Sequence, residues 1–342
     1  QVVHQMSVAV IDDVKHVEVT RSLHQHADKV NPLVLAAFAT HAQAQSYPTR
    51  PVTIVTPFAA GSVTDATARS IAAHLQEALG QPFIVENRAG AGGMLAASAV
   101  AKAAPDGHTL LITTNSTHSA APGLFKVVPY DPIKDFTPVA RIGSFPSLIA
   151  VNPGQPIKSM QELVAFAKAN PGKLSIAHGN STGHITIEAL KARAKIDIAR
   201  VPYRSNPAAM ADLIAGHIPL MVPDFGTGLP QLKAQKIRPL AVLTRERSTT
   251  LPDVPSLHET VMPNYDLIAW AGLFAPSGLP PAVAERISGE LQKMLSKPEV
   301  KARLLNGGVE VFYTGPKAFD AYVRSELVKW TGLIKEVGIQ PE

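Results

Sequence analysis

The chain has 342 residues, no cysteine and a formal net charge of +5 at pH 7. Without thiols it holds no disulfide, thiolate zinc site, iron–sulfur cluster or cysteine nucleophile. Its 32 Lys and Arg are scattered, without a basic run or interleaved aromatics, which excludes a nucleic-acid partner.

The length suits two domains, and 29 prolines promise many fixed connections. Residues 1–45 read differently from the rest. Five of the twelve His lie there, and a short apolar run over 33–39 precedes Ala42-Gln43-Ala44. This pattern predicts a signal peptide or disordered N-terminal extension, with cleavage near Ala44 and a periplasmic mature protein. The run is too short to cross a bilayer.

The first predicted strand, 52–56, leads through Pro57-Phe58-Ala59-Ala60-Gly61-Ser62 into a helix over 64–79. Pro57 halts the strand, Gly61 permits a left-handed turn, and Ser62 is a good N-cap with Asp65 three residues on. The side chains are so small that the N–H groups of Ala60 to Thr64 are expected to stand open. That makes a main-chain anion site at a helix N-terminus. Asp65 and Arg69, spaced i,i+4, read as a helix-surface pair.

A strand over 83–86 follows, then Gly90-Ala91-Gly92-Gly93 and a helix over 94–102. A dinucleotide fingerprint fails here, because its third glycine would be Leu95 and no acid closes the next strand. The stretch reads as a Gly-rich turn. The strand over 109–113 ends in a polar run that includes Asn115, Ser116 and His118.

A strand over 137–142 precedes an interruption near Phe145. Strands over 148–151, 174–177, 198–202, 220–223 and 238–243 then alternate with helices over 160–169, 185–194, 207–215 and 228–234. A second interruption falls near Trp270, expected to pack in a hinge. Helices over 282–295, 298–306 and 316–337 complete the chain. The order is α/β with mostly parallel sheets. It places domain two, 147–270, as an insertion in domain one, 46–146 and 271–342, with two crossing strands as the hinge and the ligand cleft between.

Another strand-to-helix loop, "HGNSTGH", repeats the small polar construction around Asn180, Ser181 and Thr182. Gly179-x-Ser181-x-Gly183 also matches a nucleophile elbow, with Asp212, Asp224, His217 and His258 in the right chain order for a triad. The competing reading is that Ser181 caps the helix. His184 either faces a ligand or caps. The His beyond 46 form no HExxH and no close pair, so no metal site is expected. No cofactor is expected either.

Several segments together resemble one family: "YPTRPVTIVTPFAAGSVTDATAR", "VENRAGAGGMLAASAVAKAAPDGHTLL", "VPYRSNPAAMADLIAGHIPLM", "IRPLAVLTRERSTTLPDVPSL" and "WAGLFAPSGLPPAV". They resemble the Bug family, the extracytoplasmic solute-binding receptors of tripartite tricarboxylate transporters, from about Tyr47 to the C-terminus. The resemblance implies a type II periplasmic-binding-protein fold of Venus-flytrap form and a non-enzymatic monomer. It also implies a small carboxylate ligand and a membrane permease as partner. Carried over, the binding residues are Phe58, Ala59, Ala60, Gly61, Ser62, Thr64 and Asp65 on one loop, and Asn180, Ser181, Thr182 and His184 on the other. Asn115, Ser116 and Asp224 join them. Gly61-Ser62 stands where the family usually has two glycines, and the stretch before His184 is shorter than usual. The ligand class therefore stays open among acidic amino acids, di- and tricarboxylates, pyridine acids and aromatic diacids. The alternatives are a serine hydrolase at Ser181 and a receptor presenting the ligand to a sensor kinase.

Overall fold

The computed structural model describes residues 47–342; the expected leader and its cleavage site lie outside the described residues. Strands are numbered along the chain. A six-stranded sheet has the order β11-β4-β10-β3-β1-β2, with β1 (Val52–Thr56), β2 (Phe83–Asn87), β3 (Thr109–Thr114), β4 (Phe136–Phe145), β10 (Ala269–Pro276) and β11 (Glu310–Thr314). A five-stranded sheet has the order β7-β6-β8-β5-β9, with β5 (Leu148–Val151), β6 (Ser175–His178), β7 (Ala199–Pro202), β8 (Leu220–Met221) and β9 (Arg238–Val242).

Among the described residues, five of the nine strand pairings are antiparallel, so the expected mostly parallel order is corrected. The reason is the excursion to the second sheet. β4 leaves the first sheet and β10 returns beside it, so the two must run in opposite directions, and β10 opposes β3 as well.

Helices cover both faces of each sheet. α1 (Val63–Leu79) opens on the Ser62 cap, whose Oγ accepts from Asp65 N, and closes on Gly80 in the left-handed region. Its Ile71 and Leu75 are fully buried with Val52 and Ile54 of β1, each worth about 1.5–3 kcal/mol of burial. α2 (Met94–Ala101) and the one-turn α3 (Ala121–Leu124) follow. In the second sheet, α4 (Met160–Ala169) and α5 (Ser181–Ala194) pack on one face, α6 (Asn206–Ala215) and α7 (Phe225–Lys233) on the other. α8 (Leu257–Thr260) closes that assembly with a capping box between Ser256 and Glu259. α9 (Pro281–Ser296), α10 (Pro298–Asn306) and α11 (Pro316–Glu336) end the chain.

β10, at the second of the two expected hinge crossings, was given no bounds from sequence: it is fully buried, has a glycine in mid-run and no β-branched residue. Trp270 sits in it, packed on Phe274, Phe319 and Tyr322. α11 departs from the simple two-domain division. Its Phe319 and Val323 pack with Trp270 and Phe274, but its Trp330 and Ile334 lie in the core of the second sheet with Ile149 and Leu163.

Candidate functional site

The turn between β1 and α1 is braced from within. Asp65, only 5% exposed at its side chain, accepts from Gly61 N–H (3.0 Å), from Asn87 Nδ2 (2.9 Å) and from Arg69 Nε (3.1 Å). Asn87 also donates to the Phe58 carbonyl (3.0 Å). Burial pushes the Asp65 carboxyl up, but hydrogen bonds from Arg69, Asn87 and Gly61 outweigh it and hold it below the usual carboxylate range. The expected row of open amides is therefore shorter. Gly61 donates to Asp65 and Ser62 donates to the Ala59 carbonyl. Val63 and Thr64, at the first helical positions, take no hydrogen bond through their amides among the described residues.

β3 ends in Asn115 and runs into a π-helical turn, Ser116–Ala120. Such turns are uncommon and re-aim side chains locally. Asn115 Nδ2 donates to Ser181 Oγ and Thr182 Oγ1, both at 3.2 Å, and the Ser116 and Ser181 hydroxyls lie 2.9 Å apart. These bonds join the strand end of the first sheet to the first turn of α5. His118 points elsewhere, stacked on Phe274 at 4.1 Å, and burial lowers its pKa to about 3.

Asn180, not Ser181 or His184, caps α5, accepting from Gly183 N–H at 2.9 Å. The glycines of the apparent elbow have packing causes. A Cβ on Gly179 would lie 2.2 Å from Asn206 N, and one on Gly183 would lie 2.6 Å from His178 Cβ. Among the described residues Ser181 Oγ bonds only Asn115 and Ser116. The triad candidates are scattered: Asp212 holds Tyr203 and approaches His217, while His258 accepts from Asn264 N. Asp224 caps α7 through Thr227 N (2.8 Å) and accepts from Asn206 Nδ2. Burial raises its pKa despite those hydrogen bonds.

Two adjoining chambers lie between the sheets. The inner one, about 20 Å³, is lined from both sides by Ser62, Val63, Thr64, Asn115, Thr182 and Asp224, among others. That volume fits one water-sized polar group. Asn115 Oδ1 and Ser205 Oγ are buried on this wall without a protein partner. The outer chamber, about 300 Å³, is lined by Phe58, the Gly90–Gly93 turn, Phe125, Ser181, His184 and Arg204, among others. Phe58, Ser116, Gly179 and Asn180 line both. Of the expected binding residues, Ala59, Ala60, Gly61 and Asp65 line neither chamber.

His178 and His184 stack at 5.3 Å on the outer wall. Burial, with help from neighbouring cations, lowers their pKa values to about 3 and about 4, so both are neutral at pH 7. Asn206 and Arg200 were not anticipated, and His178 was read only as the first residue of the second loop. Asn206 carried a sequence signal, a Ser-Asn-Pro helix start, but its link to Gly179 N and Asp224 is tertiary.

Comparison with known proteins bears on this site. Residues 67–339 match a family described as "Tripartite tricarboxylate transporter family receptor". Rpa4515 of R. palustris, solved with adipate, is 34% identical, with a TM-score of 0.84 over 86% of this chain and 100% of that one. The periplasmic binding protein BugD is 32% identical, with a TM-score of 0.82 over 86% and 100%. MatC of Rhodopseudomonas palustris, solved with bound malate, is 33% identical, with a TM-score of 0.79 over 84% and 100%.

Proposed function

The chain belongs to the tripartite tricarboxylate transporter receptors, the Bug proteins, and from that premise we propose that it captures a small carboxylate between its two sheets and delivers it unchanged. Its fold is the mixed α/β, two-sheet fold of these periplasmic binding proteins. One observation carries the proposal: the unpaired Val63 and Thr64 amides at the start of α1 face the start of α5 across a polar chamber. Two helix N-termini that converge on one space favour an anion.

One carboxylate oxygen rests on the Val63 and Thr64 amides and the Ser62 and Thr182 side chains. Charge-assisted hydrogen bonds of roughly 1.5–3 kcal/mol each supply a micromolar affinity after ordering and desolvation costs. Residues 47–146 and 271–342 form one lobe and 147–270 the other, with the far end of α11 reaching into the core of the second. Contacts such as Asn115 with Ser181 form as they close. A ligand drives that closure only by binding the closed form better. The closed receptor then docks as a monomer on its permease in the periplasm, after a leader ending near Ala44 is removed. Among the described residues no helix is long and apolar enough to cross a membrane. No step changes the ligand, so the protein is not an enzyme; among the described residues Ser181 Oγ bonds Asn115 and Ser116 and no histidine or carboxylate.

Calorimetric titration of the purified chain with mono-, di- and aromatic carboxylates tests this. At least one acid is expected to bind with a Kd at or below the micromolar range and to be recovered intact. Failure of every acid, together with Ser181-dependent ester hydrolysis, would overturn the reading.

A further inference from the structure

Tyr265 is a buried titratable group that the capture scheme leaves unused. It lies between α8 and β10, in the core of the second sheet. The backbone around it is fixed. Tyr265 N donates to the Met262 carbonyl, Asn264 N to His258 Nδ1 and Leu267 N to the Leu243 carbonyl. Burial pushes the phenol pKa up, so the ring keeps its proton.

The phenol reaches Thr186 of α5, with 2.8 Å between the two hydroxyl oxygens. The Thr186 hydroxyl lies 2.7 Å from the Thr182 carbonyl. A carbonyl only accepts, so the single Thr186 hydroxyl proton goes to Thr182, and the proton between the two hydroxyls is the phenol's. The order is therefore fixed: Tyr265 donates to Thr186, and Thr186 donates to Thr182. All three residues are buried, where linked hydrogen bonds polarise one another and are stronger than in water. A threonine bonded to the carbonyl four residues back often bends its helix. Here a residue outside the helix holds that hydroxyl in place.

Thr182 is where this relay ends and the inner chamber begins. It lines that chamber, and its hydroxyl accepts from Asn115 Nδ2 at 3.2 Å while its own proton meets no acceptor among the described residues. The same tyrosine also meets the far end of α5. The Arg193 guanidinium lies over its ring, 5.7 Å from the centroid, and pairs with Glu336 of α11 at 2.9 Å. One side chain thus touches α5 near its start and near its end.

We infer that Tyr265 is a positioning residue for the ligand chamber: from behind α5, through Thr186, it fixes the first turn of that helix and with it the Thr182 hydroxyl that meets the ligand. This rests on the carboxylate reading above, which makes Thr182 a ligand contact.

The test is hydrogen exchange of the full chain without ligand, read in the N-terminal half of α5 and in α1, together with calorimetric titration of malate. Tyr265→Phe keeps the ring and its contact with Arg193 and removes the hydroxyl alone. It is expected to speed exchange in the α5 segment about threefold to tenfold, to leave α1 within about twofold, and to raise the malate Kd about threefold to tenfold. Thr186→Val is expected to match it, and Thr186→Ser, which keeps the hydroxyl, to stay at the wild-type level. Tyr265→Phe combined with Thr186→Val is expected to be no worse than the worse single change, since both remove the same link. Equal acceleration in both segments would mean a general loss of stability and overturns the inference, as do unchanged exchange in α5 or additive losses in the double variant. Faster exchange in α5 with an unchanged malate Kd overturns it as well, because the turn would then not serve the chamber. If malate binds none of the proteins while the exchange pattern holds, the placing of the turn by Tyr265 stands, and the failure is that of the carboxylate reading for this acid.

Discussion

Asn115 reaches from the end of β3 to Ser181 at the start of α5, 3.2 Å from nitrogen to hydroxyl, and spans the two sheets with a single side chain. The same nitrogen serves Thr182 at 3.2 Å. On the proposed receptor reading these bonds form as the lobes close, so their value appears in ligand affinity. Asn115→Ala is expected to weaken binding of the tightest carboxylate about fivefold to thirtyfold. Titration of the variant measures this; an unchanged Kd would remove Asn115 from the closing contact.

The Asp65 brace gives a second outcome. Asp65→Ala strands Gly61 N–H and Asn87 Nδ2, and is expected to cost about 2–3 kcal/mol of folding stability. Arg69→Ala, at a partner 55% exposed, is expected to cost no more than about 1 kcal/mol. Urea unfolding of the two variants checks the order. Equal losses would mean that the ion pair, and not the buried acceptor, holds the turn.

Two glycines separate space from backbone strain. Gly61 has φ +78 but nothing within 4 Å of an added Cβ, so Gly61→Ala is expected to cost about 1 kcal/mol. Gly179 needs no positive φ, but its Cβ would collide with the Ser205–Asn206 backbone, so Gly179→Ala is expected to cost about 3 kcal/mol or more. Thermal unfolding of both proteins decides. A milder effect at 179 than at 61 would contradict the close approach.

Stability should depend on pH in a histidine-specific window. His118, His178 and His184 have folded pKa values of about 3, about 3 and about 4, below the ordinary 6.5. Below pH 6.5 the unfolded chain takes up protons that the folded chain refuses, so stability falls as pH falls. The slope approaches about 1.4 kcal/mol per pH unit per histidine. His184 stops contributing once pH passes about 4. Asp224, whose carboxyl burial raises above its ordinary value, opposes this with a single proton. Denaturant unfolding at pH 7, 6, 5 and 4.5 tests it; a flat profile between 7 and 5 is the contrary result.

The two strand-to-helix loops were legible because their construction is local: a strand, a run of small residues, a cap and a helix. Ser62 and Asn180 cap the helices that follow them. What escaped was set by distant chain. The Gly61 amide is taken by Asp65, whose carboxylate is steadied by Asn87, and no local pattern announces that partnership. His178 and Arg200 meet through the pairing of β6 with β7. β10 hid because, besides being fully buried, it holds a glycine in mid-run and no β-branched residue. Small-residue spacing around Ser181 suggested chemistry, and contact distances at Gly179 and Gly183 account for it as packing.

α11 is anchored at Phe319 beside one sheet and at Trp330 beside the other. Any swing of the lobes about the two strand crossings must also bend this rod or slide its far end over Ile149 and Leu163. In the proposed receptor that helix is one continuous rod seated in both cores, so an open form would have to give up part of the Trp330 packing.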